Sequence, residues 1–183
     1  MGLTVGHASR TIRQNLTAAD ENTSICTSLL EMRPIGGDSI ATDKMMAAFS
    51  KWLKRQSVAP FLSAKLEERD SRITRTGGTR YAVEPNVKDG KGGLRDLHTL
   101  FWMAKYAYRV NSAAEFLETD ILRQSEARSF AAAQRFLWTV RCFLHLHHGR
   151  EDDRLSFDAQ MEIAPKMRFS DRGGLRGVER FMK

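Results

Sequence analysis

The sequence has little cysteine and no long apolar run, and each shortage excludes a class of protein. Its two cysteines, Cys26 and Cys142, show neither CxxC nor CxxH spacing, which excludes a zinc ribbon and indicates a reducing compartment. No apolar stretch approaches the roughly 18 to 20 residues that span a membrane, and nothing at the start resembles a signal peptide. We therefore expect a soluble, cytoplasmic protein with no membrane partner.

Positive charge is the main compositional feature. The 183 residues are 42% hydrophobic, enough for the core of one domain or of a small domain with part of a neighbour, and carry a net charge of +7. This excess favours an anionic partner such as a nucleotide or an acidic protein. The sequence lacks a basic stripe interleaved with aromatic residues, which argues against nucleic acid.

Helical spacing of apolar residues dominates the chain and predicts a mainly α, bundle-like fold. Leu3 and Val5 alternate with polar residues and predict a short strand before the helices. We expect an extended piece over residues 81–85. The spacing predicts helices that begin near Thr17, at a cap formed by Thr42, near Phe61, at Leu94 and near Glu126, the last of them ending at Gly149. Two short helices are predicted to follow, one around Met161 that ends at Pro165 and one from Val178.

The most informative segment is EPNVKDGKGGLRD, residues 84–96. Its glycines permit positive φ and close backbone approach, and Lys88, Lys91 and Arg95 surround them with positive charge. A helix is predicted to start directly afterwards, so free N–H groups at its positive end would face the loop, as phosphate binding requires. No Walker A or GxGxxG pattern is present. A tight turn with solvated lysines is the alternative interpretation.

Two other features near residue 145 have both a chemical and a structural interpretation. His145 and His148 share a helix face and could bind a metal together with an acid from residues 151–153, or could simply pack at the helix end. Cys142 next to Arg141 could be a nucleophile, but its apolar helix predicts a buried, inert thiol.

The segment EPNVKDGKGGLRDLHTLFWMAKY, residues 84–106, closely resembles the bacterial bifunctional uridylyltransferase/uridylyl-removing enzymes that modify the PII signal protein. The resemblance continues through VGHASRT at 5–11, TSLLEMRPIGGD at 27–38, FLHLHHGREDDRLSFDAQ at 143–160 and GVERFMK at 177–183. The related glutamine synthetase adenylyltransferases have a similar glycine-rich turn, but VGHASRT and VERFMK favour the uridylyltransferases.

The resemblance implies two domains and a reaction. Residues 1–80 would be the C-terminal part of a nucleotidyltransferase domain, and residues 81–183 a helical domain truncated at its C-terminal end. The complete enzyme would use Mg²⁺ to transfer UMP from UTP to a tyrosine of PII, and an HD domain would hydrolyse it off again. The DxD pair of the transferase and the HD motif do not occur here, so no catalytic or metal-binding residue is assigned. We therefore expect the fragment alone to be inactive.

The resemblance and the charge pattern together suggest groups that support nucleotide binding. Lys88 and Arg95 would neutralise phosphate oxygens, and Gly92 and Gly93 would let the backbone approach. Asp96 would orient Arg95 or cap the helix. Two further candidates lie at the edge of the transferase domain, His7 and Arg10. The competing class is a non-catalytic helical linker or docking module for PII.

Overall fold

The computed structural model describes residues 6–77, 79, 82–110, 115 and 123–183, and these are mainly helical, as predicted. The predicted strand at Leu3 and Val5 lies outside the described residues. Among the described residues, no helix is long and apolar enough to cross a membrane. The helices are α1 Ile12–Glu21, α2 Thr23–Leu30, α3 Ser39–Leu53, α4 Val58–Arg75, α5 Leu94–Tyr108, α6 Gln124–His148, α7 Phe157–Lys166 and α8 Gly177–Met182.

The single helix expected from Thr17 onward is wrong, because the structure has two helices there. The first begins earlier, where the Thr11 hydroxyl accepts from the backbone N–H of Gln14 and the Gln14 side chain accepts from the backbone N–H of Thr11. The second begins after Asn22, whose Oδ1 accepts from the backbone N of Ser24 at 2.9 Å. Asparagine prefers this capping position over a helix interior, so it divides the segment.

The ends of α6 and α7 follow the predictions closely, whereas the start of α3 does not. Helix α3 is capped by Asp38, whose Oδ1 accepts from the backbone N of Ile40 at 2.8 Å, and the expected cap at Thr42 is wrong. Helix α6 stops at Gly149, as predicted, where φ is +64° and a residue with a side chain would be strained. Helix α7 includes Pro165 and continues one residue beyond the predicted end.

The first of two compact units takes in Met1–Glu68 and Thr99–Arg123. Tyr106 stacks on Phe61 with ring centroids 3.9 Å apart, and both rings lie in the core of this unit. Lys65 is buried beside them, where its Nζ lies 2.6 Å from Glu68 and 4.9 Å from the centre of the Trp102 ring. The remaining buried residues of this core are Ala19, Cys26, Leu30, Met45, Phe49 and Leu53.

The second unit takes in Arg69–His98 and Gln124–Lys183. Its core combines Val87 with residues of α6, α7 and α8 and includes the fully buried Leu144 and Ile163. An antiparallel bridge between Asn86 and Arg154 ties its two segments together. Tyr81, at the start of the extended piece predicted over residues 81–85, lies outside the described residues. The domain boundary predicted at residue 80 concerns the longer family protein and stays a prediction.

Candidate functional site

The glycine-rich loop, residues 86–93, is folded by the side chain of its first residue. The Asn86 Oδ1 accepts from the backbone N–H groups of Lys88 at 3.0 Å and Asp89 at 2.6 Å. The Asn86 carbonyl accepts from the N–H of Gly90 at 3.0 Å. One asparagine therefore bends the chain back on itself, a turn for which this residue is well suited.

The first N–H groups of α5 are used inside the loop and are not free. Leu94 N donates to the carbonyl of Val87 at 3.0 Å, and Arg95 N donates to the carbonyl of Lys88 at 2.8 Å. Asp96 N donates to the carbonyl of Gly93 at 3.0 Å. The expectation of free N–H groups facing the loop is therefore wrong, because the loop supplies their acceptors itself.

The two adjacent glycines serve the backbone of this loop. Gly92 has φ of +83°, and its N–H donates to the Asp96 Oδ2 at 2.7 Å. Gly93 lies against neighbouring backbone, where a Cβ would stand 2.9 Å from three carbonyl oxygens, those of Val87, Lys88 and Gly90. Gly93 is expected from the sequence to let a ligand approach the backbone, but in the structure it lets other backbone atoms of the loop approach instead.

Asp96 holds the loop to α4. Its Oδ2 caps the helix start through Gly92, and its Oδ1 pairs with the Nη2 of Arg72, a side chain only 8% exposed. The expected pairing of Asp96 with Arg95 is not the ion pair found. The Arg95 Nε lies 3.5 Å from the Asp89 Oδ1 instead, with both side chains about one third exposed.

Lys88 is held in a cluster of charges centred on Asp153. The Lys88 Nζ lies 3.5 Å from Asp153 and 3.2 Å from Glu151. The Asp153 Oδ1 accepts from the Arg141 Nε at 2.6 Å and lies 3.1 Å from the His145 Nε2. Backbone hydrogen bonds from Val87 N to the Asp153 carbonyl and from Leu155 N to the Pro85 carbonyl fix this segment against the loop. The lysine is therefore not merely solvated.

The surroundings of Asp153 keep its carboxylate ionised. Burial acts to raise its pKa, but the hydrogen bonds from Arg141 and His145, with the positive charges of Arg141 and Lys88, outweigh burial and lower the pKa below its usual value. The carboxylate therefore remains a fixed negative charge between three basic side chains at neutral pH.

The histidines at the end of α6 contact carboxylates. His145 lies against Asp153, and the His147 Nδ1 lies 3.0 Å from the Glu162 Oε2 of α7. Among the described residues, no three histidine, cysteine or acidic side chains converge as a metal-binding group. The predicted burial of Cys142 is wrong, since its side chain is exposed, whereas Cys26 is buried.

The structure brings together the candidates of the glycine-rich loop and the start of α5 within the second unit. His7 and Arg10 are exposed and precede α1 in the first unit. The sequence pattern does not indicate the ion-pair roles of Arg72, Arg141, Glu151 and Asp153. Only the run of acids after the histidines signalled part of this cluster, and the pattern does not show which acid faces the loop.

These features define the class of the molecule. It is a mainly helical protein whose glycine-rich loop is closed by backbone hydrogen bonds and held in place by ion pairs. Comparisons with known proteins give the family. The family model described as GlnD PII-uridylyltransferase matches residues 60–183, and the chain belongs to this family. No solved structure matches.

Curated relatives match along the whole chain. It is 48% identical to a protein of Bradyrhizobium sp. (strain ORS 278), 47% to one of Nitrobacter winogradskyi and 48% to one of Phenylobacterium zucineum. Each relative is named a bifunctional uridylyltransferase/uridylyl-removing enzyme. The alignment covers all 183 residues but only 20% of each relative, so the chain spans about a fifth of their length. The resemblance recognised in the sequence is confirmed.

Proposed function

We propose that this chain is part of an enzyme, the end of its nucleotidyltransferase domain and its helical domain, that transfers UMP from UTP to a tyrosine of the PII signal protein and hydrolyses it off again. The family match over residues 60–183 carries the proposal. Identity of 47–48% over all 183 residues supports it further.

In this proposal the loop contributes side-chain charge, because most of its backbone N–H groups and the first N–H groups of α5 already have acceptors. Lys88 and Arg95 would lie toward the phosphates of UTP, while Gly92 and Gly93 shape the turn that carries them. His7 and Arg10 remain candidates of the same kind in the other unit. Asp96 would act indirectly, by holding the loop to Arg72.

Mg²⁺ is proposed as the cofactor of the complete enzyme. When bound, it would reduce the negative charge of the triphosphate. The DxD pair that the resemblance leads us to expect does not occur in this sequence, so its ligands would belong to other parts of the longer protein. It follows that the isolated chain should be inactive. Incubation with UTP, Mg²⁺ and PII should give no UMP adduct by mass spectrometry, and a stoichiometric adduct would contradict this expectation.

A chimeric enzyme tests the proposal directly. The matching fifth of the Bradyrhizobium relative is replaced by this chain, and transfer of UMP to PII and its removal are both measured. The chimera should retain both activities. An inactive chimera that is folded and as stable as the parent enzyme would count against the proposal.

Variants of the chimera test the side chains of the loop. Lys88→Ala and Arg95→Ala should each weaken transfer about ten- to a hundredfold, the effect of losing one charged hydrogen bond, and leave removal largely unchanged. Lys44→Ala in α3, an exposed lysine that also loses one charge, should change neither activity.

A non-catalytic linker or docking module is the second candidate. It is favoured by two observations: the first N–H groups of α5 donate to carbonyls of the loop, and Lys88 is held by Glu151 and Asp153. This alternative expects the loop variants to lower the melting temperature and both activities together. Selective loss of transfer would exclude it.

A further inference from the structure

An exposed carboxylate occupies the point where two basic side chains of the second unit converge. The Glu151 Oε1 lies 3.2 Å from the Lys88 Nζ and 3.2 Å from the Arg141 Nη2. The Glu151 side chain is 67% exposed, against 28% for Lys88 and 15% for Arg141. The negative partner is therefore the most solvent-exposed of the three side chains, while the two cations are partly enclosed.

The two cations are held in place without Glu151. Asp153, 9% exposed, accepts from the Arg141 Nε at 2.6 Å and lies 3.5 Å from the Lys88 Nζ. Its carbonyl accepts from Val87 N at 2.8 Å, which fixes its backbone against the loop. If Glu151 turned away, Lys88 and Arg141 would keep this buried anchor and would expose the positions that Glu151 had filled.

A phosphate group can compete well for those positions. Exposed ion pairs contribute little to stability because water screens them and long side chains must be ordered. A phosphate group carries more negative charge and more acceptor oxygens than one carboxylate, and arginine binds it with geometric preference. Displacement of Glu151 by a phosphate group therefore replaces a weakly paired carboxylate of the protein with a ligand that binds the two cations more strongly.

We propose that Lys88 and Arg141 form a phosphate-binding site that Glu151 occupies in the absence of ligand. With Glu151 displaced, Asp153 is the one carboxylate that remains paired with the two cations among the described residues, so the site keeps a net positive charge. The ligand class is a phosphate of a nucleoside triphosphate or free pyrophosphate. The choice of a nucleotide rests on the proposed function, whereas the site itself requires only phosphate chemistry.

Calorimetric titration of this chain with inorganic pyrophosphate tests the site without any enzymatic activity. Glu151→Gln should tighten binding about two- to tenfold, because the ligand no longer displaces a charged competitor. Glu67→Gln, an exposed glutamate of α4 in the first unit, makes the same change in net charge and is the matched control. It should leave the affinity within about twofold.

The cations are tested in the same way. Lys88→Met and Arg141→Gln should each weaken pyrophosphate binding about tenfold or more, and Lys44→Met should have little effect. Circular dichroism and melting temperature check that each variant is folded. Glu151→Gln alters an exposed side chain, so we expect this decisive variant to fold normally.

The site is refuted if Glu151→Gln binds pyrophosphate no more tightly than Glu67→Gln. A parallel titration with UTP identifies the source of the phosphate. Binding of UTP with the same variant responses indicates a nucleotide phosphate, and binding of pyrophosphate alone indicates the released product. An inactive chimera with intact pyrophosphate binding would refute the proposed function and leave this site standing.

Discussion

Replacement of Gly93 by alanine should strongly destabilise the second unit. The new Cβ would stand 2.9 Å from the carbonyl oxygens of Val87, Lys88 and Gly90, far inside normal contact distance. All three neighbours are backbone atoms, so no flexible side chain can move aside. The loop would have to open at the point where it meets the start of α5.

The magnitude follows from what these carbonyls do. Each accepts a backbone hydrogen bond, from Leu94 N, Arg95 N and Gly93 N at 3.0, 2.8 and 2.9 Å. A hydrogen bond contributes about 0.5 to 1.5 kcal/mol net, so loss or distortion of the set should cost about 2 to 4 kcal/mol. The φ angle of Gly93 is not positive, and steric contact alone accounts for the effect.

Urea unfolding of the chain, followed by circular dichroism, measures this loss. Gly36→Ala is the matched control, because its Cβ would meet nothing within 4 Å, and it should change the free energy of unfolding by less than about 0.5 kcal/mol. If Gly93→Ala is no less stable than Gly36→Ala, the close packing of this loop is refuted.

Three further variants or reagents test other parts of the structure. The pKa of folded Asp153 lies below its usual 3.8, so its stabilisation is present above that pH and is lost as the pH falls through the folded pKa. Wild type and Asp153→Asn should therefore converge in stability as the pH falls in acid unfolding, and a difference that grows toward low pH would contradict this. Burial raises the pKa of Cys26 to about 11, whereas Cys142 is exposed; a thiol reagent at neutral pH should label Cys142 in the folded chain and Cys26 only after denaturation, as peptide mass mapping would show. Gly177→Ala should lower the melting temperature more than the same alanine control, because its Cβ would collide with the backbone carbonyl of Phe169, and equal melting temperatures would contradict this.

Helix positions could largely be predicted from local signals. The apolar spacing from Leu94 and the glycine after His148 locate α5 and the end of α6 within two residues, because both signals are contained in the helix and its cap. The break at Asn22 is not indicated by the apolar spacing, because the residues that predict this helix, Ile25, Leu29 and Met32, all follow it. The capping side chain of Asn22 is the local signal for the break.

The contacts of the site could not be predicted in the same way. The pattern indicated a turn before α5, but whether its N–H groups are free depends on how the carbonyls of Val87 and Lys88 are turned. Asp153 stands beside two other acids in the sequence. The pairing of Asn86 with Arg154, two residues far apart in the sequence, brings this run to the loop, where Glu151 and Asp153 both contact Lys88.

The bridge between Asn86 and Arg154 has a consequence for the order in which the chain folds. Its partners lie about 70 residues apart, and closing a loop of that length costs roughly 4 kcal/mol of chain entropy. The helices between them need only local contacts and form earlier. Pulsed hydrogen exchange should show the N–H groups of Val87 and Leu155 gaining protection after those of α6; earlier protection would contradict this order. At a synthesis rate of about 5 to 20 residues per second, several seconds pass between the synthesis of the glycine-rich loop and that of its partner segment. Throughout that interval the nascent chain carries the loop without the backbone and carboxylate groups that later secure it.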